Sequence, residues 1–186
     1  MFILSFFTTY YSQCNLNDLN FNVYLYPMAE DLSIIQGDKI AAYKSIIPQI
    51  KALTDGESDL VANLANTVAA LKEQFGWFWV GFYLAKGDEL VLAPFQGPVA
   101  CTRIKKGRGV CGSSWAEART LIVPDVEAFP GHIACSSLSK SEIVVPVIRN
   151  GQVIGVLDVD SEHLNYFDET DQQFLEELIA GLDFAI

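Results

Sequence analysis

Residues 142–160 read EIVVPVIRNGQVIGVLDVD, and the reading of the fold turns on them. Two apolar runs, Glu142 to Arg149 and Gln152 to Asp160, flank Asn150-Gly151. Asn-Gly supplies the two positive-φ residues of a type I′ turn, so the stretch predicts an antiparallel hairpin. Side chains alternate along a strand, which puts Ile154, Val156, Asp158 and Asp160 on one face. Val153, Gly155, Leu157 and Val159 fall on the other, which has the composition of a core. Counting back from the turn pairs 149 with 152, hence 143 with 158 and 141 with 160. Glu142 then lies beside both aspartates, but on the opposite pleat unless a bulge or strand end re-aims it. Close carboxylates resist joint ionisation, so one keeps a proton at neutral pH and can act as a general acid. A solvated strand end or a cation site has the same spacing.

Working towards the N-terminus, Trp77 to Leu84 (WFWVGFYL) is a strand, Lys86-Gly87-Asp88 a turn, and Glu89 to Pro94 its partner. Trp77, Trp79, Gly81 and Tyr83 share a face by alternation. They read either as core or, for Trp79 and Tyr83, as walls of an apolar pocket with Gly81 leaving room between them. Lys39 to Leu53 has helical spacing, with Pro48 a candidate kink. Leu60, Leu64, Val68, Leu71 and Phe75 form one stripe of a second helix that stops at Gly76. Residues 96–120 are glycine-rich and read as irregular, 121–123 as a short strand, and 125–141 as a long loop around Pro130-Gly131. Asp168 caps a last helix with Phe174, Leu175, Leu178, Ile179 and Leu182 on its apolar stripe. This order indicates an α+β fold, a central antiparallel sheet with helices packed mainly on one face.

Bulk properties narrow the function. The 186 residues are 51% hydrophobic, which suits a globular domain with a core. A formal net charge of -11 repels phosphate and argues against nucleic acid. No uninterrupted apolar run is long enough for a bilayer, so no membrane partner is expected. There are four cysteines, Cys14, Cys101, Cys111 and Cys135, with no CxxC pair and only His132 and His163 as nitrogen donors. A structural zinc site is poorly supported. That leaves redox chemistry or buried thiols used as small apolar residues. Residues 1–27 begin MFILSFFTTYY without the basic start of a signal peptide, and no Lys or Arg precedes Lys39. The expectation is a non-native or disordered extension over 1–27, in which Cys14 has no role, followed by one catalytic domain over 28–186.

Several stretches together resemble the free methionine-R-sulfoxide reductases of the GAF-domain superfamily. They are GFYL (81–84), PFQGPVACTRI (94–104), GRGVCG (107–112), DVEAFPGHIAC (125–135), SKSEIVVPV (139–147), GVLDVDS (155–161) and FDETDQQFLE (167–176). The resemblance spans roughly residues 40–184 and includes three cysteines at the family's spacing. It implies a GAF-like fold and reduction of free L-methionine-R-sulfoxide, with thioredoxin as electron donor. It also implies a homodimer in the cytoplasm, with no metal and no organic cofactor. Cys135 matches the nucleophile, Cys101 the cysteine that forms a disulfide with it, and Cys111 a third cysteine read as resolving or relaying. Glu142, Asp158 and Asp160 match the acids that hold the sulfoxide, and Trp79 and Tyr83 the aromatic walls. One departure is Ser136, where many members carry Asp. It removes a negative charge beside the thiol. The alternatives are a non-enzymatic GAF ligand-binding module and a thiol-based redox sensor. A sensor needs no carboxylate cluster, so Asp158→Ala separates it from the reductase.

Overall fold

A computed structural model describes residues 31–133 and 135–182. Residues 1–30, with Cys14 and the expected extension, lie outside the described residues. Leu32–Ile186 form one compact unit. No helix among the described residues is long and apolar enough to cross a membrane.

Helix α1 covers Lys39–Thr54 and α2 covers Leu60–Phe75. Asp38 opens α1 by accepting from the amides of Ile40 and Ala41, and Asp59 opens α2 by accepting from Ala62. Gly76 closes α2 with φ at 64°, a left-handed cap that a Cβ would strain. Pro48 sits inside α1. The strands are β1 (Trp79–Lys86), β2 (Glu89–Gln96), β3 (Arg103–Lys105), β4 (Leu121–Val123), β5 (Ser141–Arg149) and β6 (Gln152–Ser161). They form one six-stranded sheet, ordered β3-β2-β1-β6-β5-β4, with every pairing antiparallel. Helix α3 spans Gly109–Glu117 and α4 spans Glu169–Gly181.

The two sheet faces are covered differently. One packs against α1, α2 and α4, burying Tyr43, Ile46, Leu71, Phe82, Leu157 and Leu175. The other, among the described residues, carries α3 and loops, and buries Trp79, Tyr83, Val110, Cys111, Val144 and Val156. Helices are thus mainly on one face, as the sequence indicates. A polar pin ties α1 to α4: Tyr43 Oη donates to Asp171 Oδ1 at 2.8 Å, and Lys39 Nζ to Asp171 Oδ2 at 2.6 Å. Asp168 and Asp171 form a capping box at the start of α4.

Three expectations need correction. Residues 96–120 are not irregular: they contain β3 and α3. Glycines hide this helix from propensity, yet its fit depends on one of them. A Cβ on Gly112 would lie 2.4 Å from the Lys105 carbonyl oxygen, so only glycine lets α3 approach β3 this closely. Trp77 does not share a face with Trp79. The strand starts at Trp79, and Trp77 turns into the opposite core, stacked on Phe75 at 4.4 Å. The third concerns the last hairpin. Asn150 and Gly151 have φ of 51° and 74°, and Arg149 pairs with Gln152, as a type I′ turn requires. The register then shifts, because Ile148 pairs with Val153 but Val147 with Gly155. Ile154 is the extra residue of a bulge. It sends Ile154 to the three-helix face and Val153 to the α3 face, the reverse of simple alternation.

Candidate active site

The bulge resolves the position of Glu142. With one residue inserted, Glu142 pairs with Asp160 and Val144 with Asp158. Both acids of β6 and Glu142 therefore point to the α3 face. On the other side of β6, Trp79 pairs with Asp160 and Gly81 with Asp158. A cross-strand row of Trp79, Asp160 and Glu142 thus lies beside a row of Gly81, Asp158 and Val144. Gly81 is needed here, because a Cβ would meet Phe95 Cβ and the Trp79 ring at 2.4 Å. The indole lies across this gap, stacked on Phe95 at 5.4 Å and 6.0 Å from Tyr83.

Above these rows sits a cavity. Its floor is Glu142, Asp158, Asp160 and Cys111, its wall Trp79 and Tyr83, and its rim Ala100, Arg108, His132 and Cys135. The structure brings every site residue named from the sequence to this one cavity or its mouth. Cys135 is exposed, Cys101 half-buried, and a disulfide joins them with Cα atoms 5.6 Å apart. Cys111 is buried and unbridged, its Sγ 3.8 Å from Glu142 Oε1.

The loop bearing Cys101 is held by the aromatic wall. Trp79 Nε1 donates to the Pro98 carbonyl at 3.1 Å, and Tyr83 Oη to the Cys101 carbonyl at 2.9 Å. The two residues are therefore both wall and tether, a role alternation cannot reveal. Sequence reasoning also missed Ser139, whose hydroxyl makes a short hydrogen bond to Asp160 Oδ1. It lies inside a quoted family stretch, but a lone loop serine carries no signal of its own.

The electrostatics favour protonated acids. Burial, then Asp158, push the Glu142 carboxyl well above the usual range. Burial, then Asp160, do the same for Asp158, whose Oδ1 has no hydrogen-bond partner among the described residues. Burial raises Asp160 to about 6, opposed by the Ser139 hydroxyl. The Cys111 thiol is pushed well up by burial and then by Asp158. Burial lowers His132. Burial thus favours the protonated, donor form of Glu142 and Asp158, whereas Asp160, at about 6, is largely ionised at neutral pH. Cys111 Sγ and one oxygen each of Glu142 and Asp158 lie within 4.8 Å of one another, compact enough for a cation. A cation there would first have to displace protons these groups hold firmly.

Comparison with known proteins agrees with this geometry. Residues 54–186 match the GAF domain family. The chain is 64% identical over 157 residues to GAF domain-containing protein A of Dictyostelium discoideum, covering 84% of this chain and 99% of that one. It is 46% identical over 147 residues to the free methionine-R-sulfoxide reductase of Escherichia coli, covering 78% and 89%. Among solved structures, free methionine-R-sulfoxide reductase from Neisseria meningitidis in complex with its substrate superposes with a TM-score of 0.81. It shares 61% identity, covering 82% of this chain and 93% of that one. By fold, by cysteine pairing across the cavity mouth and by these identities, the chain belongs to the GAF domain family and, within it, to the free methionine-R-sulfoxide reductases.

Proposed function

We propose that this chain reduces free L-methionine-R-sulfoxide to L-methionine by thiol chemistry. One observation carries the reading: a cavity lined by three carboxyl groups is also lined by Cys135, which is joined in a disulfide to Cys101. A sulfoxide sulfur becomes electrophilic when its oxygen is protonated or strongly hydrogen-bonded. Glu142 and Asp158, held protonated first by burial and then by neighbouring aspartate charge, Asp158 acting on Glu142 and Asp160 on Asp158, are the donors. Cys135 attacks the sulfur. The oxygen passes to the Cys135 sulfur, giving a sulfenic acid and free methionine. The Cys101 thiol then displaces water from that sulfenic acid, forming the disulfide seen here. A dithiol returns two electrons and two protons, leaving two thiols and its own disulfide.

Cys111 is a poor nucleophile in this setting, because its burial and acidic neighbours keep it a thiol. Its contact with Glu142 supports a part in relaying the proton among the acids. Trp79 and Tyr83 wall the methionine side chain, and the enclosed floor favours a free amino acid over a peptide-bound one. The reading extends to a thioredoxin as reductant, a homodimer and a cytoplasmic setting that keeps the thiols reduced. It assigns no metal or organic cofactor.

Single turnover tests the chemistry. Reduced protein mixed with free methionine-R-sulfoxide, with no reductant present, should yield one methionine and one Cys101–Cys135 disulfide per chain. Methionine formed without loss of thiols would contradict the thiol route.

A further inference from the structure

We propose that residues Arg103 to Arg108 and the apolar side chains beside the disulfide form the docking surface for the reductant, a dithiol protein with acidic residues around its thiols. This rests on the thiol cycle above and adds to it a surface and a partner chemistry. Residues 96–116 hold four of the chain's 12 basic residues, Arg103, Lys105, Lys106 and Arg108, and no acid, in a protein of net charge -11. All four are exposed. Arg103 meets Glu89 at 3.0 Å, and Lys106 lies 5.1 Å from the Trp115 ring centroid. Among the described residues neither Lys105 nor Arg108 makes an ion pair.

The strip borders the cavity that Cys135 lines, because Ile104 and Arg108, on either side of Lys105 and Lys106 in the chain, both line it. Arg108 lines the same cavity mouth as Val99, Ala100 and Cys135. Val99 is 88% exposed and stands two residues from Cys101, and Leu138 is 55% exposed, three residues from Cys135. Asp88 and Glu89 at the neighbouring end of β2 offset part of this charge and leave the four basic side chains in excess. Exposed apolar side chains near a reacting bond with a surplus of basic charge beside them are the anatomy of a transient protein contact. Among the described residues β3 is also the outermost strand on its side of the sheet. Cys135 is the more exposed residue of the pair. The partner's thiolate attacks it, the Cys101 sulfur leaves and takes a proton, and the partner's second thiol resolves the mixed disulfide, freeing Cys135 as a thiol. The rest of this acidic protein repels an acidic partner, so the basic strip also sets its orientation.

The test measures reduction of the oxidised protein with no sulfoxide present. The reductants are a thioredoxin of net negative charge and, in parallel, dithiothreitol. The Lys105→Glu/Lys106→Glu variant should lose on the order of tenfold in the second-order rate with thioredoxin. Its rate with dithiothreitol should stay that of the parent, and Lys105→Arg/Lys106→Arg should behave as the parent with both. Added salt should slow the parent with thioredoxin and hardly affect the reversed variant. A reversed variant within twofold of the parent with thioredoxin would overturn the proposal, as would no reduction of the parent by thioredoxin. Sulfoxide turnover driven by dithiothreitol reads the catalytic proposal separately.

Discussion

At the scale of single residues, the site separates proton donors from nucleophile. Asp158 is buried, with Oδ1 lacking a hydrogen-bond partner among the described residues, so its proton or its lone pair is available to a substrate. Asp158→Asn should lower turnover by roughly a hundredfold or more, the usual contribution of a positioned acid. Alkylation of reduced Cys135 should proceed as in the parent, because the thiol sits on another element. An unchanged turnover, read in a coupled assay, would remove the acid from the mechanism. The pH dependence follows from the raised pKa values. Rising pH strips the proton from Asp160 near 6 and works against the protonated forms that burial favours at Glu142 and Asp158, so turnover should decline on the alkaline side. Tyr83→Phe keeps the aromatic wall and deletes the 2.9 Å bond to the Cys101 carbonyl. One such bond is worth about 1 kcal/mol. Disulfide formation in a single turnover should therefore slow several-fold while KM for the sulfoxide stays within twofold. An equal loss in KM would make Tyr83 a wall only.

At the scale of elements, the placement of Glu142 depends on one inserted residue. Deleting Ile154 would restore simple pairing of β5 with β6, returning Glu142 to the other pleat and reversing Val153. This also marks what the sequence can disclose. The hairpin, its turn and the pairing of 149 with 152 were legible because Asn-Gly dictates them locally. The bulge was not, because it answers to packing on both faces of the sheet, which no local pattern records. Helix α3 escaped notice for a similar reason: its glycines lower helix propensity, and the reason for Gly112 is a carbonyl on another element. The cysteines and acids were gathered by family spacing, and the structure supplies their depth. Cys111 lies on the floor, whereas Cys135 lies at the rim. Gly112→Ala tests the α3 contact. Its Cβ must push α3 off β3, which should cost about 1–3 kcal/mol in a denaturant titration and move Cys111 from Glu142. A variant of parental stability would mean that the contact relaxes freely.

At the scale of the whole molecule, the acid cluster sets function against stability. A carboxyl whose folded pKa is raised holds its proton more tightly folded than unfolded, so folding is favoured at low pH. For Asp160 that contribution is complete below its unfolded value of 3.8 and is lost as pH rises through about 6. The shift amounts to at most roughly 3 kcal/mol, and the raised Glu142 and Asp158 carboxyls act in the same direction. Asp160→Asn should therefore stabilise the protein, more at pH 8 than at pH 5.5, while impairing turnover. A loss of stability at pH 8 in a denaturant titration would show that the cluster is structurally favourable and overturn this view.

The central claim is that Cys135, beside a cavity in which burial favours protonated Glu142 and Asp158, reduces one epimer of a free amino acid. The most direct measurement is a coupled assay of the purified protein with a dithiol reductant and free methionine sulfoxide resolved into its two epimers, run beside Cys135→Ser. The account predicts consumption of the R epimer alone, abolished by the substitution. Turnover of neither epimer, or turnover that survives in Cys135→Ser, would contradict it.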